Sequence, residues 1–424
     1  VKIAYLLTTF PKQSETFLQR EIRVMLQLTP CLRVYSLWRG QSQWEGHPVR
    51  CFRCRELARI LIELPRWCIR QPHVLMQAMQ CLLENTPTNL KNVGETVLGL
   101  GFAVVQARNF EREPPDSLHA AWATMPATAC WLIHQLTGIP FTMGAHAYDM
   151  YADGGDCLLV DKLKKAALIH TSSHAARQHL LRLHPAARDK LVTIHRGLDT
   201  LPTFAPRAID PTRPLRLLSI GRLVEKKGWN EQLDLLAAVK QRGIVFKARI
   251  VGHGPLHAQL LRKRQHLHLD QAVEFTGAID HPNLAQHYHW ADAFLFTGKI
   301  ARNGDRDGLP NVIAEAMAYG VPVLTTAVAG TTEAIHHNTT GWILPLYDPQ
   351  AWIDTLLQLN HRETTLAVQK NARQWVAQHF IAAHNTRQWF DCMRQAVADS
   401  TEALQPRKND CSLSSASTSP GLSQ

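Results

Sequence analysis

The chain has 424 residues, 45% of them hydrophobic and 19% charged, with a formal net charge of +11. That length exceeds what one hydrophobic core usually serves, so two domains are expected. No apolar run reaches the ~18 residues of a membrane span; the best stretch, Val93–Ala107, is interrupted by Glu95 and carries three glycines.

The chain opens directly into a strand pattern at Lys2–Leu7, without a charged leader and cleavage site ahead of it. Its nine cysteines lack the spacing of a disulfide framework, which suits a reducing cytoplasm. Cys51-Phe-Arg-Cys54 is the one close pair. A zinc site would need two more ligands and a redox motif its own strand-to-helix turn, so two unrelated thiols beside a helix is the simpler account. The charge points to nucleic acid, an anionic membrane surface or phosphorylated ligands, and composition does not choose among them.

In chain order, strand patterns fall at Ile3–Thr8, Leu32–Leu37, Leu118–Trp122, Pro140–Met143, Leu168–Thr171 and Leu191–His195, with mostly helix between Arg55 and Arg112. This predicts a doubly wound domain over 1–205 with a helical insertion near 55–112. Within the insertion, Arg55, Arg59, Arg66 and Arg70 share a helical face beside Ile60, Leu61, Leu64 and Trp67. Two readings stand: a surface helix for anionic lipid headgroups, or a solvated basic face kinked at Pro65. Four prolines among polar residues between Asp199 and Pro214 predict a linker.

From Leu215, β-branched or apolar runs alternate with helix-length amphipathic segments through Val321–Thr325. The pattern predicts a second parallel sheet wrapped by helices over 206–380, with ligands bound beyond the strands' carboxyl ends. A last helix, 381–399, is expected to return to the N-terminal domain, and the Ser-rich 400–424 to be a disordered tail.

Three loops at those strand ends carry the chemistry. Gly221-Arg-Leu-Val-Glu-Lys-Lys-Gly228 places Arg222 and Lys227 where two cations can hold a diphosphate, Arg as a fork and Lys as a point charge. Val251-Gly-His-Gly-Pro255 would let backbone approach a ligand closely. In Asp305-Arg-Asp-Gly-Leu-Pro-Asn-Val-Ile-Ala-Glu315, Pro310 suits a first helical position, and the free N–H groups of Leu309, Asn311 and Val312 would favour an anion. Asp307 and Glu315 beside that anion make sense as acceptors of sugar and ribose hydroxyls. Glu315 sits among Ala314, Ala316, Met317 and Ala318, a face too apolar for plain surface.

Taken in order, Gly-Arg-Leu-x-x-x-Lys-Gly, Gly-x-Gly-Pro and an acid-x7-Glu helix followed by Val-Pro-Val resemble the family-4 retaining glycosyltransferases of GT-B fold, especially the bacterial exopolysaccharide and colanic-acid group. The resemblance extends from Thr9–Phe17 through Gly144-Ala-His-Ala-Tyr-Asp149 to the helices before Phe380. It implies two Rossmann-like domains facing across a cleft and a donor diphosphate held by Arg222 and Lys227. It adds donor contacts at Gly254, Ile279, Gly308, Leu309 and Asn311, with Asp307 on the sugar and Glu315 on the ribose. His146, with Arg222, Lys227 and Asp307, forms the implied catalytic set, and Lys12, Ser14, Glu15, Thr16 and Asp149 the acceptor side. The implied reaction is metal-independent, retaining transfer of a hexose from a UDP- or GDP-sugar to a saccharide. The acceptor would be a lipid-linked oligosaccharide at the inner membrane face, with no cofactor and no nucleic-acid partner. One departure is Asp307, where the family has Glu, and Asp305-Arg-Asp307 also spells the metal-binding Asp-x-Asp of another fold. A noncatalytic nucleotide-sugar binder and another GT-B enzyme such as an epimerase are the rival readings.

Overall fold

The computed structural model describes residues 1–85, 89–204, 206 and 208–404. Two parallel sheets, each flanked by helices, stand side by side. The N-terminal sheet has eight strands in the order β3-β4-β2-β1-β5-β6-β7-β8. These are β1 Ile3–Leu7, β2 Arg33–Ser36, β3 Gln43–Trp44, β4 His47–Cys51, β5 Ser117–Ala120, β6 Phe141–Gly144, β7 Leu168–Thr171 and β8 Leu191–Thr193. All neighbours pair in parallel except β3 with β4. That edge hairpin was not anticipated, because its polar residues show too short an alternation to stand out; it buries only Trp44 and Val49.

The C-terminal sheet runs β11-β10-β9-β12-β13-β14, entirely parallel. Its strands are β9 Leu215–Ile220, β10 Phe246–Val251, β11 Val273–Gly277, β12 Ala293–Phe296, β13 Val323–Thr325 and β14 Trp342–Ile343. The two-residue β14 is too short to have been read from periodicity. The order turns back at β9 in this sheet and at β1 in the other, and doubly wound sheets bind ligands at such switch points.

The chain crosses between domains twice, after β8 and again at Phe380–Ala382. The two crossings meet: Leu198 and Ile381 form a parallel bridge, and a Cβ on Gly197 would lie 2.1 Å from Ala382 N. Only glycine fits there. The final helix, Ala382–Leu404, then lies on the N-terminal domain, with Trp389, Phe390, Met393 and Val397 in a core shared with Ile3, Tyr5, Leu18 and Ile22. It runs past the expected limit of 399, and there the Ser400 hydroxyl donates to Ala396 O, the i−4 side-chain bond that a helical serine makes. The rest of the predicted tail, 405–424, lies outside the described residues.

The insertion folds as three helices, Ile60–Arg70, Pro72–Glu84 and Leu90–Arg112, preceded by a 3₁₀ segment at Cys54–Arg59. Pro65 lies inside the first of them without ending it. Cys51 closes β4 and Cys54 opens the 3₁₀ segment, both as free thiols.

Candidate functional site

A cavity of about 1210 Å³ lies between the domains, walled by strand-end loops of both sheets. On the C-terminal wall, β9 ends at Ile220 and the chain turns through Arg222 into a 3₁₀ turn, Glu225–Lys227, closed by Gly228 at φ +68°. A Cβ on Gly228 would meet Thr297 O at 1.8 Å, so glycine is required for the loop to pack on β12's exit. Arg222 reaches the cavity with an exposed guanidinium, while its carbonyl is held by Trp229 Nε1 at 2.8 Å.

Lys227 Nζ lies 2.6 Å from Asp307 Oδ2, and Lys226 Nζ lies 3.0 Å from Asp305 and 3.3 Å from Asp307 Oδ1. Burial alone would push the Asp307 carboxyl up, but the two ammoniums outweigh it and hold its pKa at about 2. Burial also lowers the Lys227 pKa, opposed by Asp307 and assisted by Lys226 and Arg222. Lys226 is a side chain of this candidate site that sequence reasoning missed. Next to Lys227 in a solvated-looking loop, it carries no mark that its side chain is 3% exposed.

The helix Asn311–Ala318 opens onto the same wall, with Gly308, Leu309, Asn311 and Val312 lining the cavity. Pro310 is its N-cap at ψ 123°, one position earlier than expected. Ile279 lines the cavity as well, but Gly254 does not. Gly254 is packed against the Leu223 backbone, where a Cβ would stand 2.6 Å from its carbonyl oxygen. Its smallness supports the Arg222 loop, and Gly252 and His253 face the cavity instead.

Glu315 is buried on that helix, and both its oxygens are engaged. Tyr288 Oη donates to Oε2 at 2.8 Å, while Arg20 Nη2 at 3.4 Å and His281 Nε2 at 3.3 Å meet Oε1. Burial works against ionisation, yet the hydrogen bond with His281 and the Arg20 charge outweigh it and keep the carboxyl below its ordinary pKa. Arg20 comes from the other domain, on the helix Thr16–Leu28, and donates also to Gly197 O. No local motif marks Arg20, His281 or Tyr288: packing within the C-terminal domain brings His281 and Tyr288 to Glu315, and only the domain pairing brings Arg20.

On the N-terminal wall, Lys12, Ser14, Glu15 and Thr16 line the cavity, with Lys12 Nζ on Glu15 at 2.7 Å. His146 follows β6 and faces the cavity beside Trp122. Burial, then the charge of Arg196, push its pKa well below the usual histidine range, so the ring is neutral. Both its ring nitrogens are buried and have no hydrogen-bond partner among the described residues. A Cβ on Gly144 would strike His146 Nε2 at 2.5 Å, so the preceding glycine makes room for the ring. Asp149 does not line the cavity. Its carboxylate accepts from the backbone N–H groups of His146 (3.1 Å), Ala147 (2.7 Å) and Ala123 (3.2 Å), which holds the His146 turn in place. The expected acceptor contact is therefore a positioning residue, because short loops that end buried strands must satisfy their own N–H groups.

Residues 204–375 match the family model for glycosyl transferases group 1. WcaL of Escherichia coli (strain K12), provisionally named a colanic acid biosynthesis glycosyltransferase, is 31% identical over 196 residues, which are 46% of this chain and 48% of WcaL. The amylovoran biosynthesis glycosyltransferase AmsK of Erwinia amylovora is 37% identical over 151 residues, 36% of this chain and 37% of AmsK. The chain thus spans less than half the length of these curated relatives. Among solved structures, Anabaena HepE in complex with UDP and glucose superposes with a TM-score of 0.68 at 17% identity, over 93% of this chain and 99% of that one. Sucrose-phosphate synthase from Thermosynechococcus elongatus does so with a TM-score of 0.68 at 18% identity, over 94% and 99%.

Proposed function

From the premise that residues 204–375 are a glycosyl transferases group 1 domain within a GT-B architecture, we propose that the protein is a retaining, metal-independent glycosyltransferase. It moves a hexose from a UDP- or GDP-sugar to a saccharide acceptor, a lipid-linked oligosaccharide of exopolysaccharide synthesis at the cytoplasmic membrane face. The observation that carries this reading is the opposition, in one interdomain cavity, of Arg222, Lys226 and Lys227 to Asp307 and Glu315, with neutral His146 across from them. The crystallised HepE complex with UDP and glucose supports a nucleotide-sugar donor.

The chemistry follows from the pairs. A donor diphosphate offers Lys227 and Lys226 more negative charge than Asp307 does, so it takes Asp307's place as their partner and frees that carboxylate for sugar hydroxyls. Arg222, exposed in the cavity, adds a forked contact to phosphate oxygens. The bond from the anomeric carbon to the diphosphate oxygen breaks with its electron pair on that oxygen, whose growing charge the two lysines and Arg222 stabilise. The acceptor hydroxyl bonds to the anomeric carbon from the same face, and its proton passes to the departing phosphate. Neutral His146 accepts or donates a hydrogen bond without adding charge next to a carbon that is itself becoming positive. Three cations already face the diphosphate, which supports a reaction without a metal. Asp305 and Asp307, the Asp-x-Asp carboxylates, are instead partners of Lys226 and Lys227.

Lys227→Ala is expected to lower turnover by about 10²-fold or more, as losing one charge stabiliser does in comparable sites, with a chelator leaving the wild-type rate unchanged. Turnover that survives the substitution, or that the chelator abolishes, refutes this assignment. Donor binding with no product on any saccharide acceptor would identify a noncatalytic binder.

A further inference from the structure

Of the sixteen large apolar side chains exposed among the described residues, ten lie between Leu61 and Val97. They are not scattered. The helix Pro72–Glu84 buries Val74 and Ala78 yet exposes Met76, Met79 and Leu83, which recur at helical spacing on another face. Leu90–Arg112 does the same at its start, burying Asn92 and Thr96 while exposing Leu90, Val93 and Val97. Ile60–Arg70 buries Glu63 and Trp67 and exposes Leu61, Ile62 and Ile69. Leu61, Ile69, Leu83 and Leu90 are 75% to 89% exposed. A helix with a second apolar stripe beyond the one that serves its own core is built to lie against something else.

Charge says what that is. From Arg53 to Arg70 the chain has five arginines, at 53, 55, 59, 66 and 70, against Glu56 and Glu63. Glu63 is buried beneath Arg59 and Arg66, which it ties at 3.9 and 2.9 Å. Arg70 is tied to Glu111 at 2.8 Å and covers the Trp67 ring. The guanidiniums of Arg59, Arg66 and Arg70 remain half exposed beside the apolar side chains. Exposed aliphatic stripes on amphipathic helices, flanked by half-exposed arginines, match a lipid surface with negative headgroups. The platform also adjoins the cavity: Asn89, Lys91, Asn92 and Glu95 line it from the first turns of the helix that exposes Leu90, Val93 and Val97.

We propose that the three helices of the insertion form a membrane-docking platform that seats the N-terminal domain on an anionic bilayer and holds the acceptor side of the cavity at the lipid surface. Only the link to an acceptor rests on the glycosyltransferase reading; the surface itself is defined without it. The exposed arginines engage lipid phosphates while Leu61, Ile69, Met76, Leu83 and Leu90 enter the acyl boundary. Membrane attachment then delivers a lipid-linked saccharide to a cavity that already faces its headgroup.

The test is co-sedimentation of the full chain with phosphatidylcholine vesicles, with and without phosphatidylglycerol. Wild-type protein should bind the phosphatidylglycerol vesicles at least tenfold better than the neutral ones. The double variant Leu61→Asp, Ile69→Asp and the single variant Leu83→Asp should each lose at least tenfold, and Arg66→Glu should abolish the preference for negative lipid. UDP or GDP affinity, measured by calorimetry, should stay unchanged in all of them and shows that they fold. No vesicle binding by wild type, equal binding by the aspartate variants, or a wild-type dimer that those variants dissolve would each overturn the platform. Vesicle binding without affinity for either nucleotide would leave the platform standing and sink the donor reading.

Discussion

At the residue scale, the site depends on groups whose ionisation the fold has shifted. Behind the cavity, His146 packs edge-on against His170, which stacks on Trp389, and His119 lies between Tyr5 and Trp389. Burial, followed by the Arg196 charge, lowers all three histidines, His119 to about 3 and the other two well below their ordinary value. A group whose folded pKa is depressed binds fewer protons folded than unfolded, so stability is complete above the unfolded histidine pKa and falls as pH drops below it. Three such groups predict a loss of about 4 kcal/mol per pH unit between pH 6 and 5. Urea unfolding at pH 7.5, 6 and 5 measures it, and a midpoint constant across that range would refute buried neutral histidines. Sequence reading could find His146 through its motif. It had no means to find His119 and His170, which look like ordinary strand residues until the sheet encloses them.

At the scale of the element, the final helix shows how a terminal segment of one domain completes the other. Trp389 is 1% exposed, stacked on His170, and shares a core with β1 and the helix Thr16–Leu28. Asn385 Nδ2 donates to the carbonyls of His195 and Arg196, fixing the crossing next to the cavity. Trp389→Ala is expected to cost about 3–5 kcal/mol, the range for removing a buried large aromatic, from the N-terminal domain alone. Differential unfolding followed by a probe in each domain would show it, and an equal shift in both would contradict it. The helix was legible as an amphipathic element after Phe380, and the strands of both sheets were legible to within a residue or two, because alternation and burial set their pattern. The β3–β4 hairpin and β14 were not, since β3 and β14 have two residues each and β4 buries only Val49, so none offers a clear period to read.

At the scale of the whole molecule, the domains are held in contact by groups that also belong to the site. Arg20 of one domain lies on Glu315 of the other. Glu333 accepts from His174 N at 2.9 Å and Ala175 N at 3.1 Å, capping the helix His174–Leu183 from across the boundary. Arg306 covers the Tyr151 ring at 4.0 Å. On the proposed donor reading, a ribose at Glu315 Oε1 would compete with Arg20, which would couple nucleotide binding to domain contact. Arg20→Gln removes the competing charge while His281 and Tyr288 remain, and nucleotide affinity should rise by about fivefold to tenfold, the low end of typical coupling. Calorimetry with UDP and GDP checks the direction; weaker binding in the variant would mean that Arg20 serves the ribose site instead of blocking it.

What the sequence by itself determined is the local chemistry: two alternating sheets, a cationic loop after β9, an acidic helix start, and glycines where the backbone must turn or pass closely. These follow from short-range sterics, hydrophobic period and side-chain type, all of which are written in neighbouring residues. Only the tertiary structure decided who faces whom. It made Lys226 a buried partner of Asp307, turned Asp149 and Gly254 from ligand contacts into supports, and set Arg20 against Glu315. It also left the insertion's second apolar stripe uncovered. Apart from the Asp149 turn, which closes on its own neighbours, these depend on distances between segments tens to hundreds of residues apart, and burial, charge pairing and exposure exist only once those segments have packed.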